Sequence, residues 1–165
     1  KRTIYANKDL RYQVTAFNYN PQLKKMWLGT NSKGLICYDE DTKHLEQFPP
    51  SVIPQQAILA IASYKGNTLL IGIDGQGIWS FDEKRKEVTS VFREDLDDPY
   101  SLKGDGVYDI LCEDKRTWVG TYTGGISYFE TESPAINQIS YHPNNPNSLA
   151  NNHVNKIFED RSGIL

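Results

Sequence analysis

Cysteine occurs twice, methionine once and histidine three times in these 165 residues, and each shortage closes a route. Cys37 and Cys112 fall at different places in the repeating pattern described below, each inside an expected strand among apolar neighbours, so they read as buried free thiols rather than a disulfide. His44, His142 and His153 lack the paired spacing of a metal site. Glu94, Asp95, Asp97 and Asp98 are clustered acids, but the ligand order and glycine of a calcium loop are missing, which makes them a solvated turn. No excess of positive charge is present: 18 Lys and Arg face 21 Asp and Glu, for a net charge of -3, so the field that draws phosphate backbones is absent and nucleic acid is not an expected partner. No run approaches the ~20 apolar residues of a membrane span, no charged-then-apolar signal segment opens the chain, and these residues are expected to make no membrane contact. The stretch 117–130, richest in glycine and aromatics, holds no phosphate loop and no nucleophile with its base, and no catalytic residue, metal or cofactor is assigned.

What the chain does contain is turn and strand chemistry. Twelve glycines, eight prolines and ten tyrosines favour strands and tight turns over helices, and the predicted class is all-β. The clearest unit is Thr117 to Glu130, in which Trp118, Val119 and Thr121 form one strand, Gly124-Gly125 turn the chain, and Ile126, Tyr128 and Phe129 form the next. The unit recurs as Met26 to Asp39 and as Leu69 to Asp82. Gly29 and Gly72 are 43 residues apart, and Gly72 and Gly120 are 48 apart. Each is followed by a second glycine (Gly34, Gly77, Gly125), an aromatic (Tyr38, Phe81, Phe129) and an acid (Asp39, Asp82, Glu130) at fixed offsets. Ser101-Leu102 and Ser148-Leu149 stand at the same distance before Val107 and Val154, with Ser51-Val52 before Ala57 as a weaker third case.

Four short strands per repeat of this length is the period of a β-propeller blade. The predicted organisation is a propeller fragment of about three four-stranded blades, 12–48, 57–93 and 107–142, with partial blades at both ends. An outer strand is expected at 1–8 and the start of a next blade at 153–165. The closing strands are expected at 87–93 and 136–142, and an inner strand at 153–159. Blade strands are covered on both faces, so Leu69-Leu70-Ile71 can be apolar throughout. Trp27, Trp79 and Trp118 are expected to pack between blades. The first glycine of each copy is expected to admit an aromatic from the next blade, and the second to make the hairpin turn.

Trp-Val-Gly-Thr at 118–121, Gly-Gly-Ile-Ser-Tyr-Phe at 124–129, the Asn/Pro-rich stretch 141–149 and Ile-Phe-Glu-Asp-Arg-Ser-Gly-Ile-Leu at 157–165 resemble the two-component regulator propeller repeats. The second copy departs most, with Leu70 in the tryptophan position and Ile73 in the threonine position. The resemblance covers nearly the whole chain. It implies a periplasmic sensor region of a hybrid histidine kinase, an inner-membrane protein whose kinase lies outside this chain. The implied role is to bind a ligand, often an oligosaccharide, and pass the signal on. The partners implied are the oligosaccharide and the rest of the parent sensor. Open blade edges add self-association as an expectation. A carbohydrate-active propeller enzyme, glycoside hydrolase or lyase, and a non-binding scaffold are the alternatives; the primary expectation is a binding module, not an enzyme.

Ligands of propellers meet loops at one end of the central channel. The loops between second and third strands carry Asn31, Asp74, Gln76, Tyr122 and Thr123, and His153 closes a loop expected at the same end. Amides and carboxylates pair with sugar hydroxyls and an aromatic ring offers a stacking face, so these six are the candidate ligand-binding residues.

Overall fold

The computed structural model describes residues 13–130 and 133–162. Twelve strands and no helix are found among them. The first sheet is β1 (Val14–Asn20), β2 (Lys25–Thr30), β3 (Leu35–Asp39) and β4 (Leu45–Gln47). The second is β5 (Ile58–Ser63), β6 (Thr68–Ile73), β7 (Gly77–Asp82) and β8 (Glu87–Phe92). The third is β9 (Val107–Cys112), β10 (Arg116–Thr121), β11 (Gly125–Glu130) and β12 (Ser133–Ile139). Each is an antiparallel meander with strands in chain order, as expected for three blades. The innermost strands touch in succession, β1 on β5 and β5 on β9. The strand expected at 1–8 and the last three residues, 163–165, lie outside the described residues.

Apolar residues on both faces make the second sheet the middle of the stack. Leu69, Ile71, Ile73 and Phe81 join Trp27, Leu35 and Phe48 of the first sheet in one core. Leu70, Ile78, Ala60 and Ala62 join Val107, Ile110 and Val119 of the third in another. Successive side chains of a strand point to opposite faces, so one apolar run serves both cores. Each fully buried aliphatic side chain contributes about 1.5–3 kcal/mol.

The first glycine of each repeat is where the next sheet comes closest, and the residue that arrives is not aromatic. A Cβ on Gly29 would stand 2.5 Å from Ile58 Cγ2, one on Gly72 2.7 Å from Val107 Cγ1, and one on Gly120 2.6 Å from Val154 Cγ1. A β-branched aliphatic fills the gap in each case: Ile58 and Val107 stand at the start of β5 and β9, Val154 at the matching point of the last repeat, and a ring would be too large for the spacing. The second glycine does turn the hairpin: Gly77 has φ 72°, and a Cβ there would lie 2.1 Å from the Phe92 carbonyl oxygen.

The tryptophans divide. Trp27 is fully buried, its ring 5.4 Å from Phe81, and its indole N–H donates to Glu83 Oε2 at 2.6 Å; Trp79 packs against the same core. Trp118 is also buried; its indole N–H donates to Glu113 at 2.8 Å and its ring meets Tyr128 at 5.0 Å, both in its own sheet.

Two further expectations shift. The third closing strand is Ser133–Ile139 instead of 136–142, because Ser148 claims His142 for a loop: His142 N–H donates to Ser148 Oγ at 2.9 Å and Ser148 Oγ donates back to the His142 carbonyl at 3.1 Å. Ser101 holds Asp95 in the same way, which is the structural reason that Ser-Leu recurs. The buried residue at the end of the first such loop is Ile53, fully enclosed like Leu102, one position beyond Val52. The strand expected at 153–159 does not form. Val154 N–H does donate to the Thr121 carbonyl at 3.2 Å and Ile157 N–H to Asp109 Oδ2 at 2.8 Å, but no second strand flanks the segment among the described residues to complete a ladder.

The recurring acid is a turn device. Asp39 Oδ1 accepts from the Asp41 and Thr42 amides, and Asp82 Oδ1 from those of Lys84 and Arg85. Lys43 and Lys86 complete these turns at φ 59° and 58°. Glu130, a methylene longer, pairs with Arg116 at 3.1 Å instead. The backbone amides hold both Asp39 and Asp82 below the ordinary carboxylate value of 3.8. A depressed native pKa means that the stabilisation is complete above 3.8 and is lost as the pH falls from there through the native value. Asp82→Asn is expected to flatten the fall in stability below pH 3.8, read from urea midpoints across the acid range; an unchanged slope would refute this role.

Candidate functional site

Asn31, Asp74 and Tyr122 occupy one equivalent position in the three sheets. Their amides donate to the carbonyls of Gln13, Ala57 and Gly106 at 3.2, 2.9 and 2.8 Å. They therefore stand at the same end of the molecule, where the second and third strands of each sheet join.

Among the described residues, only the third sheet gathers a cluster there. The Tyr122 ring meets the His153 ring edge-on at 4.1 Å and stacks on Tyr108 at 5.4 Å and 26°, while Tyr108 and His153 are 6.0 Å apart. Gly106 lies at the centre: a Cβ on it would be 3.3 Å from Tyr122 Cβ, 3.7 Å from Asp74 Oδ1 and 4.0 Å from Tyr108 Cε2. The absence of a side chain at Gly106 leaves a notch bordered by the Asp74 carboxylate, the Tyr122 Cβ and the edge of the Tyr108 ring. His153 is positioned from both sides, its amide on Asn151 Oδ1 at 2.7 Å and its Nε2 2.8 Å from Asn155 Oδ1.

Asp74, Tyr122 and His153 thus come together, and Asn31, Gln76 and Thr123 do not join them. Asn31 accepts a hydrogen bond from Ser32 Oγ in the first sheet. Gln76 Oε1 is 2.7 Å from an Arg93 guanidinium nitrogen, which donates to it. Thr123 packs at Gly104. Tyr108 was the residue that the strand reading missed. Pairing slips by one between Gly120↔Asp109 and Thr121↔Val107, leaving Tyr108 as the extra residue of a β-bulge, and bulges re-aim side chains at the ends of strands. The same slip occurs in β1 and β5 between Val14 and Ala16 and between Ile58 and Ala60. A phenol in a repeat position that elsewhere holds Thr15 and Leu59 is the signal available in the sequence.

The chemistry on offer is recognition. Tyr122 is half exposed and presents a ring face and hydroxyl, Asp74 an acceptor, and His153 and Asn155 polar edges. Among the described residues no three His, Cys, Asp or Glu side chains gather as metal ligands. The clustered acids at 94–98 serve turns: Asp95 Oδ1 accepts from the Asp97 amide and Asp98 Oδ1 from that of Tyr100, and Asp105 Oδ1 accepts from Glu94 N–H. Both cysteines are free, and burial pushes each thiol up to about 11, far from a reactive thiolate. One carboxyl pair does meet, Glu113 with Glu159. Their mutual hydrogen bond raises Glu159 and lowers Glu113, and Trp118 N–H also donates to Glu113. It lies by the β9–β10 turn, at the opposite end of β10 from Tyr122.

No family model matches the chain, and no curated protein matches it. Solved structures do. The extracellular domain of BT3049 from B. thetaiotaomicron, assigned to a hybrid two-component system, superposes with a TM-score of 0.71 at 18% identity over 96% of this chain. That of BT4673 from the same organism, assigned to a one-component system, gives 0.64 at 20% identity over 78%. The WD40 repeats of RRP9 give 0.62 at 10% identity over 83% of this chain and 40% of that one. This chain spans only 22% and 17% of the two B. thetaiotaomicron chains. At these identities the likeness is one of fold. The resemblance read from the repeats and the architecture of the three sheets meet in one conclusion: the chain has the β-propeller fold found in the extracellular domains of these bacterial one- and two-component systems.

Proposed function

We propose that this chain is the ligand-binding part of an extracytoplasmic sensor propeller, which takes up an oligosaccharide at the Tyr108, Tyr122, His153 and Asp74 cluster and passes the signal to a histidine kinase outside these residues. The observation that carries the reading is the half-exposed Tyr122 ring, braced by Tyr108 and His153 beside the Gly106 notch. Bracing fixes the ring before a ligand arrives, so little conformational entropy is lost on stacking. Asp74 is placed to accept from hydroxyls at the edge of a stacked sugar. The fold shared with extracellular domains of a hybrid two-component and a one-component system supports the periplasmic setting.

Titration calorimetry against a panel of neutral plant and host oligosaccharides tests the site. At least one glycan is expected to bind without being cleaved, and Tyr122→Ala to weaken it about tenfold, equivalent to the ~1.4 kcal/mol that an aromatic contact can contribute. Binding that is indifferent to both Tyr122→Ala and Gly106→Ala would remove the site from the proposal. Release of product would move the protein to a glycan-cleaving class.

A further inference from the structure

A further concave surface lies on the outer side of the molecule, between the second and third sheets. There a groove of about 630 Å3 is lined by Val91, Phe92, Leu96, Tyr100 and Ile136, with Glu94, Asp95 and Asp98 along it. We propose that it is a docking site for an extended protein segment that carries apolar and basic residues.

Exposed apolar side chains in this groove have no role in holding the loop that presents them. The loop is built on four hydrogen bonds: Asp95 N–H to Ser101 Oγ, Ser101 Oγ to the Asp95 carbonyl, Asp98 N–H to that same carbonyl, and Ser101 N–H to the Asp98 carbonyl. The loop 142–149 repeats all four with His142, Asn145 and Ser148, but it has Pro143 where Leu96 stands and Asn147 where Tyr100 stands. Fold therefore demands neither Leu96 nor Tyr100, yet they are 89% and 60% exposed. Apolar side chains held in water on a rigid loop next to a cleft are the mark of an interaction site.

Backbone and charge narrow the occupant. β8 pairs with β7 and, among the described residues, nothing ladders onto its outer edge, so an extended chain can add along it as it enters the groove beside Val91. The loop itself covers the neighbouring sheet, since Ile136 N–H donates to the Tyr100 carbonyl at 3.2 Å; this leaves the β8 side as the open one. Three carboxylates line the cleft against Arg93, whose guanidinium is taken up by Gln76 and the Trp79 ring. Lys103 is held on the Asp98 carbonyl oxygen and does not line the groove. The field left over is negative, which selects lysine or arginine flanking an apolar residue seated between Phe92 and Tyr100.

Panning a random phage-displayed peptide library against the chain, followed by fluorescence anisotropy of the selected peptides, tests the proposal. Selected peptides are expected to alternate basic and apolar residues and to weaken at least tenfold between 50 and 500 mM salt, because exposed charge pairs are screened. Leu96→Ser with Tyr100→Ser is expected to abolish their binding at an unchanged melting temperature, while Tyr122→Ala leaves it intact. Failure to enrich any peptide, enrichment of acidic sequences, or equal binding by the double variant would overturn it. So would light scattering that shows the wild-type groove occupied by a second copy, or a glycan that competes for Tyr100.

Discussion

Gly29→Ala is expected to destabilise the fold by about 3 kcal/mol, which for a chain of this size is roughly 6–12 °C in melting temperature. The added methyl has nowhere to go: it would lie 2.5 Å from Ile58 Cγ2, 2.8 Å from Ile58 Cβ and 3.2 Å from the Ile58 carbonyl oxygen. Two of those three atoms are fixed to the backbone of β5, so rotating the isoleucine relieves only part of the clash and the first two sheets must move apart. Gly29 is not among the glycines with positive φ, which makes the effect one of space and not of backbone strain. Ile58→Ala removes Cγ2, and in that background Gly29→Ala is expected to cost about 1 kcal/mol less than in the wild type, the coupling that contacting residues show in a double-mutant cycle. Urea melts of the four proteins measure it. A loss under about 0.5 kcal/mol for Gly29→Ala, or strict additivity with Ile58→Ala, would show that the sheets do not meet at this glycine.

Glu83→Ala is expected to cost a similar amount, about 3 kcal/mol, and Glu83→Gln about half of it. Glu83 is 2% exposed and binds the first sheet to the second through two donors: Trp27 Nε1 at 2.6 Å on one oxygen and Asn20 Nδ2 at 2.9 Å on the other. Truncation leaves the buried Trp27 indole N–H without an acceptor and takes the acceptor from the half-buried Asn20 amide as well. The amide keeps one acceptor and turns an NH2 towards the other donor, so half the arrangement survives. Trp27→Phe, which removes a donor instead of the acceptor, should lose less than Glu83→Ala, and the pair should couple strongly in a double-mutant cycle. Equal stability of Glu83→Ala and the wild type in thermal melts would refute the latch.

The repeat carried most of the architecture into view. Glycines, aromatics and acids at fixed offsets encode contacts that are near in sequence: hairpin turns, the capped turns at Asp39 and Asp82, and alternation along strands. Such contacts are set by φ preferences and short-range hydrogen bonds, which a sequence states locally. The partners of Gly29, Gly72 and Gly120 were harder to read. The glycine announces a close approach, but what approaches comes from the next repeat, and only the stacking distance of the two backbones selects isoleucine or valine over a ring.

The candidate site shows the same division. Tyr122 and Asp74 were visible because they occupy the variable position of a conserved hairpin geometry, and His153 because it ends a loop directed to the same end. Tyr108 was hidden inside an apolar strand, since the one-residue slip in pairing with β10 that re-aims it depends on two strands at once. Gln76 and Thr123 are equally suitable by residue type, but the fold sets Gln76 against Arg93 and Thr123 beside Gly104, apart from the Tyr122 cluster.

By itself, then, the sequence determined the class, the period of the blade and the end of the molecule on which its variable loops lie, because these follow from local backbone chemistry repeated in register. The tertiary structure alone decided which side chains meet. Asp74, Tyr108, Tyr122 and His153 converge through the stacking of the second and third sheets and the bulge in β9, and Glu83 reaches Trp27 across 56 residues. Those contacts depend on the distance between sheets, a property of the packed whole that no single stretch of chain specifies.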